Sequence, residues 1–108
     1  TSGMTTEIAG LMKAATDNFD GIFAATDLLA WACLGELRKL GRNVPDDMKI
    51  VGFDDLPIAQ QTAPPLTTIR QDIASGARAI VQLLLRRIAG EETESIVMPP
   101  TLVVRATA

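Results

Sequence analysis

Histidine and tyrosine are missing from this 108-residue chain, and cysteine occurs once, as Cys33. Without histidine, neither a Ser-His-Asp nor a Cys-His nucleophilic set can be assembled, and the usual zinc constellations lack their ligands. No enzymatic activity, metal or cofactor is expected. A lone cysteine forms no internal disulfide; within the apolar run Ala30-Trp31-Ala32-Cys33-Leu34 it reads as a small core residue, which suits a reducing compartment and a cytoplasmic location. Basic residues are in slight deficit: ten Lys and Arg against thirteen Asp and Glu leave a net charge of −3. Such a field repels a phosphate backbone, so this chain alone is not expected to grip DNA. Long apolar runs are also lacking. None approaches the roughly 20 residues of a membrane span, and no basic stretch followed by an apolar core marks an export signal. The opening Thr1-Ser2-Gly3-Met4 resembles neither a translation start nor a tag, so upstream sequence is expected. Finally, Gly35, Gly41 and Gly52 form neither G-x-G-x-x-G nor a P-loop, which leaves phosphate cradling unsupported.

What is present is a high apolar content, 47%, enough for a single core of modest size. Ile8, Leu11, Met12 and Ala15 recur at helical spacing and predict a first helix over 5–15. Ile22-Phe23-Ala24-Ala25 is a short apolar run without alternation, as in a parallel strand covered on both faces. Thr26 or Asp27 can cap the next helix, which Gly41 ends. A second β-rich run, Lys49 to Phe53, completes a βαβ unit with a parallel sheet. A short helix is expected from Pro57, a strand or crossing over Leu66 to Ile69, and a long helix from the cap Asp72 to Gly90. In that helix Ile73, Ala77, Ile80, Leu84 and Ile88 form one apolar face to be packed. Ile96 to Met98 and Thr101 to Arg105 read as two further extended pieces.

Ligands of open parallel sheets bind at the carboxyl ends of the strands, and both central strands end in carboxylates, at Thr26-Asp27 and Asp54-Asp55. A carboxylate can accept from two neighbouring hydroxyls, the pattern that fixes a sugar or polyol, and Asp54 suits that role. The competing reading is that Asp27, and Asp54 or Asp55, cap the segments after them; one residue can do both. Two aspartates also raise glycoside hydrolysis, which nothing nearby favours. Leu28 to Leu34 is apolar on every side of the helix, so one buried face does not account for it. Either a second covering layer or a subunit interface is implied. A homodimer is the preferred reading, with Trp31 as anchor and Leu28 and Leu34 beside it.

These pieces occur together and in order in the LacI/GalR family of bacterial transcription regulators, which this sequence resembles from about Ser2 onward. The matching words are Gly21 to Ala30 (with Ala25-Thr26-Asp27), Leu40 to Asp55 (with Val44-Pro45-Asp46-Asp47 and Val51-Gly52-Phe53-Asp54-Asp55), Pro64-Pro65-Leu66-Thr67-Thr68-Ile69-Arg70-Gln71, Gly76-Ala77-Arg78-Ala79 and Pro99-Pro100-Thr101-Leu102-Val103-Val104-Arg105. The resemblance implies the C-terminal part of a two-lobed effector-binding domain of the periplasmic-binding-protein-like type I fold. That fold is a three-layer α/β/α arrangement with a mainly parallel sheet. It further implies that about 2–69 belong to the C-terminal lobe, 70–98 to a crossing segment and a helix of the N-terminal lobe, and 99–108 to a returning strand. The DNA-binding helix-turn-helix would lie outside this chain. The implied function is effector sensing and dimerisation in a regulator; the alternative is a periplasmic sugar-binding component of a transporter. Asp54 matches the family's effector-binding aspartate, and Thr26-Asp27 a strand end that often reads Asn-Asp. Thr26 donates once where an amide donates twice, which weakens its expected contact. Gln71 is similar to a cleft-facing position. The partners so implied are a small-molecule effector of sugar type, a second copy of the chain, and DNA only through the missing segment.

Overall fold

The computed structural model describes residues 2–108, in the order α1 (Ser2–Ala15), β1 (Gly21–Phe23), α2 (Asp27–Lys39), β2 (Lys49–Val51), a short 3₁₀ turn (Pro57–Gln60), β3 (Thr68–Arg70), α3 (Ile73–Ile88) and β4 (Thr101–Val103). The described chain divides into two compact units, one comprising 2–70 and 102–108, the other 71–101. Each is described by itself.

In the first unit β1 and β2 pair in parallel, with Gly21 opposite Lys49, Ile22 opposite Ile50 and Phe23 opposite Val51. On the other side of β2, Gly52 N–H donates to the Thr67 carbonyl at 2.9 Å, and Val51 bridges Thr67 in parallel. β3 pairs with β4. Alternation along β1 turns Ile22 and Ala24 toward the helices, where Ala24 and Ile50 share a core with Ile8 and Met12 of α1 and Ala30, Cys33, Leu34 and Leu37 of α2. Phe23 points the opposite way and is exposed. The expected parallel βαβ unit is thus present.

Helix α2 ends as its sequence predicts. Gly41 takes a φ of +72° that a side chain would resist, and Arg42 N–H reaches back to the Leu37 carbonyl at 2.9 Å, closing the last turn. The C-terminal tail is bound as tightly as a strand. Thr107, fully buried, donates its hydroxyl to the Ile50 carbonyl and accepts from Thr67 N–H, at 2.7 and 2.8 Å, while its own carbonyl accepts from Ile50 N–H.

In the second unit Asp72 caps α3, its carboxylate accepting from Ser75 N–H at 3.0 Å and the Ser75 hydroxyl at 2.7 Å. Residues Ile96 to Met98 form no strand, and Val97 is largely exposed. No residue of α3 is buried, and Ile73, Ile80, Leu84 and Ile88 all lie exposed, so the apolar face expected to be packed is uncovered. A unit of one helix and extended chain holds too little apolar surface to bury it.

Candidate functional site

The parallel register carries the carboxyl ends of β1 and β2 side by side, and Asp27 N–H donates to the Phe53 carbonyl at 3.1 Å. At the β1 end, Thr26 is the N-cap of α2: its hydroxyl oxygen accepts from Leu29 N–H at 3.1 Å. Its hydroxyl proton has no acceptor among the described residues, so one donor remains for a ligand.

Asp27 departs from the expectation of an effector contact. It is 0% exposed, with Oδ1 accepting from the Thr68 hydroxyl and Oδ2 from Leu56 N–H, both at 2.6 Å. Both oxygens are used within the chain. The placement follows from Gly52, where a Cβ would meet Asp27 Oδ1 and approach Leu66 to 2.9 Å; the missing side chain lets the carboxylate lie across β2. At the first turn of α2 the negative charge also meets the favourable end of the helix dipole.

The β2 end is built differently. Asp54 and Asp55 both lie at positive φ, 101° and 51°, a conformation that costs non-glycine residues on the order of 1–3 kcal/mol each and that aspartate tolerates better than most. Asp54 N–H donates to the Ile69 carbonyl at 2.8 Å, which fixes the backbone. Its side chain is exposed and its carboxylate meets no hydrogen-bond or ion-pair partner among the described residues. Asp55 instead turns inward, its side chain only 8% exposed, and takes Arg70 Nε on Oδ2 and Arg105 Nη2 on Oδ1, each at 2.7 Å. Burial acts to raise the Asp55 pKa, but the hydrogen bonds and charges of Arg105 and Arg70 outweigh it and hold the carboxyl below its ordinary value.

Gln71 falls in the second unit, exposed, its carbonyl accepting from Ile73 N–H. Of the three residues expected at a subunit interface, Trp31 and Leu28 are each 54% exposed on α2, whereas Leu34 is 5% exposed and belongs to the core. Leu34 is corrected on helix geometry: Ala30, Cys33, Leu34 and Leu37 are spaced three and four apart and make the inward stripe. The all-round apolar stretch therefore splits into one buried face and one open face. Sequence reasoning missed Thr68, Arg70 and Arg105. The surplus of strand-end carboxylates hinted at cationic partners, but pairs separated by fifteen and fifty positions leave no periodic trace. Among the described residues no group of three or more His, Cys, Asp or Glu side chains is arranged to hold a metal, and no helix is long and apolar enough to cross a membrane.

A parallel βαβ unit followed by a segment that passes into a second unit is the pattern of an α/β fold with a parallel sheet. Residues 3–108 match the periplasmic binding protein-like domain family, and the chain belongs to it. Its relatives there are regulators of the LacI type. It is 43% identical over 77 residues to the HTH-type transcriptional regulator CelR of Thermobifida fusca, which covers 71% of this chain and 23% of that protein. It is 39% identical over 88 residues to the HTH-type transcriptional regulator MalR of Streptomyces coelicolor, covering 80% of this chain and 26% of that one. The chain thus spans about a quarter of these curated relatives. Among solved structures, the transcriptional regulator CelR-cellobiose complex superposes with a TM-score of 0.80 at 36% identity, over 96% of this chain and 33% of that one. A LacI family transcriptional regulator from Enterococcus faecium with bound ribose gives 0.78 at 28% identity, over 95% of this chain and 38% of that one. These relatives are transcriptional regulators rather than enzymes.

Proposed function

We propose that this chain is the C-terminal part of the effector-binding domain of a cytoplasmic, DNA-binding transcriptional regulator, and that it supplies one side of a site for a sugar or related polyol. The observation that carries the reading is Asp54. Its carboxylate is exposed, without a partner among the described residues, at the end of a central strand, on a backbone held at positive φ. A ligand hydroxyl donating to it gains a charge-assisted hydrogen bond. Thr26, whose hydroxyl proton has no acceptor among the described residues, adds to that side; Gln71, the further expected contact, belongs to the second unit. Asp27 supports the site from within rather than touching the effector. By this reading residues 2–69 belong to one lobe, 70–98 to a crossing segment and a helix of the other, and 99–108 to the returning strand. The uncovered face of α3 is then packed by the rest of the parent domain. The protein is not an enzyme and uses no cofactor; DNA is reached through a helix-turn-helix outside this chain, which its net charge of −3 does not itself favour. The relatives' regulator character and the bound sugars of the solved neighbours favour this over a transporter component.

An effector that binds only one lobe arrangement shifts the population toward it, and a dimer passes the shift to the DNA-binding heads. The second copy docks on the open face of α2, around Trp31 and Leu28.

A thermal-shift screen of the full-length protein against cellobiose, maltose, ribose and sucrose tests the effector reading, since a ligand of the folded state raises its melting temperature. Asp54→Ala is expected to weaken binding of the stabilising sugar by about 1.5–3 kcal/mol in calorimetry, with folding little changed. Unaltered affinity excludes Asp54 as a contact. Trp31→Glu is expected to yield monomers in light scattering; a dimer persisting at micromolar concentration removes Trp31 from the interface.

A further inference from the structure

Beside the exposed Asp54 lies a charge arrangement that the effector contact itself does not use, with Asp55 and Arg105 largely covered and Arg70 half exposed. Asp55 offers one oxygen to each of two arginines at 2.7 Å. Arg70 ends β3 and is the last residue before the chain passes into the second unit; Arg105 lies just beyond β4, on the segment that has returned from it. One carboxylate therefore joins the outgoing and the incoming strand. The grip reaches further on the Arg105 side, where Nη1 donates to the Leu66 carbonyl and the backbone N–H to the Thr67 hydroxyl, both at 2.8 Å. On the Asp55 side, its N–H donates to the Thr68 hydroxyl at 3.4 Å, and the same hydroxyl donates to Asp27. Both aspartates at this strand end are at positive φ, where a residue persists only if its surroundings over-determine it. Besides the Asp54 N–H bond to the Ile69 carbonyl, the double ion pair on Asp55, whose side chain is only 8% exposed, is the interaction that holds this turn's side chains in place.

We propose that Asp55 is a positioning residue: clamped between Arg70 and Arg105, it fixes the left-handed turn that directs the Asp54 carboxylate outward, and so couples the effector contact to the two strands that connect the units. This rests on the reading of Asp54 as an effector contact, but the turn itself can be followed without any ligand. Moving either strand against the other stretches an ion pair on Asp55 and loosens the turn carrying Asp54. A sugar held by Asp54 then favours the strand arrangement in which both pairs are made.

The test uses the full-length protein and three variants. Asp55→Asn keeps the size and one acceptor oxygen but removes the charge; Asp55→Glu restores the charge one methylene away; Asp54→Asn alters the contact and leaves the clamp. Amide hydrogen exchange is read at Asp54 and Asp55, and in α2 as an internal control, alongside calorimetry with cellobiose, maltose, ribose and sucrose. In Asp55→Asn, exchange at the two amides is expected to rise about tenfold with α2 unchanged, and affinity for the binding sugar to fall about tenfold. Asp55→Glu should recover part of both effects. Asp54→Asn should lose affinity with no change in exchange. Exchange within twofold of the parent in Asp55→Asn overturns the clamp. So does faster exchange with undiminished affinity for a sugar that Asp54→Asn no longer holds. If Asp54→Asn binds as the parent does, the effector reading fails instead, and with it the coupling of Asp55 to a contact, while the exchange data still decide whether Asp55 fixes the turn.

Discussion

Adjacent parallel strands here finish in aspartates that meet opposite fates. At the β1 end, Asp27 is fully buried and both of its oxygens accept from the chain's own donors, Thr68 and Leu56. At the β2 end, Asp54 is exposed with no partner among the described residues, and its neighbour Asp55 carries the ion pairs. The residue type is the same; what differs is the backbone opposite. Asp27 sits over a glycine that leaves it room, while Asp54 is held at a φ of 101° by its N–H bond to Ile69 and turned away from the sheet. A strand-end carboxylate is therefore not in itself the mark of a ligand site. What separates the two ends is that Asp54 keeps its hydrogen-bonding capacity open, beside a neighbour whose two oxygens are each engaged by an arginine.

The largest expected effect breaks the β1 side of this contrast. Asp27→Ala leaves Leu56 N–H and the Thr68 hydroxyl without acceptors, and at roughly 1–3 kcal/mol for each orphaned group the loss of stability should be about 2–6 kcal/mol. Gly52→Ala attacks the same contact from the other side, since its Cβ would press on Asp27 Oδ1 and on Leu66; about 1–3 kcal/mol is expected. Urea unfolding of the full-length protein measures both. If Asp27→Ala retains its parent's stability and instead loses sugar affinity, the roles assigned to the two strand ends must be exchanged.

How much of this is legible in the sequence depends on which interactions are local. The helices are legible because their signals lie within a few residues: Thr26 caps α2, Asp72 caps α3, and Gly41 takes the positive φ that ends α2. Composition places the short strands, and Asp54 stands out by its position after one of them. Leu34 is misassigned because a run that is apolar all round does not say which side faces the core. The burial of Asp27 is not legible, because it depends on Gly52, Leu56 and Thr68, which lie up to 41 positions away. The partners of Asp55 are likewise products of the fold. The face of α3 is readable as apolar, but its covering is not found among the described residues.

A smaller effect sharpens the β1 end. Thr26→Ala removes the acceptor for Leu29 N–H and should cost about 1 kcal/mol, the ordinary worth of an N-cap. Thr26→Asn keeps the cap and presents an amide with two donors, so its stability should match the parent. If Thr26 also contacts the effector, Thr26→Ala weakens sugar binding and Thr26→Asn does not. Equal affinity in all three proteins confines Thr26 to capping, which makes the contrast with the β2 end complete.

The smallest effect concerns pH and isolates Asp55. Its pKa in the folded chain is lowered: burial works against the charge, but the hydrogen bonds from Arg105 and Arg70 and their positive charges prevail. A carboxyl whose folded pKa lies below its unfolded value, about 3.9 for aspartate, binds fewer protons folded than unfolded, so it stabilises the fold above that unfolded value. The contribution is lost as pH falls from there through the lowered folded pKa. Asp72, lowered chiefly by its hydrogen bonds with Ser75, behaves in the same sense, so the raw acid transition mixes the two. The difference in melting temperature between the parent and Asp55→Asn removes Asp72 from the comparison, since both proteins retain it. That difference should be constant from neutral pH down to about pH 5 and shrink below about pH 4. A difference that does not change with pH across this range would mean that the charge of Asp55 contributes nothing to holding its two arginines, and that packing alone shapes the β2 end.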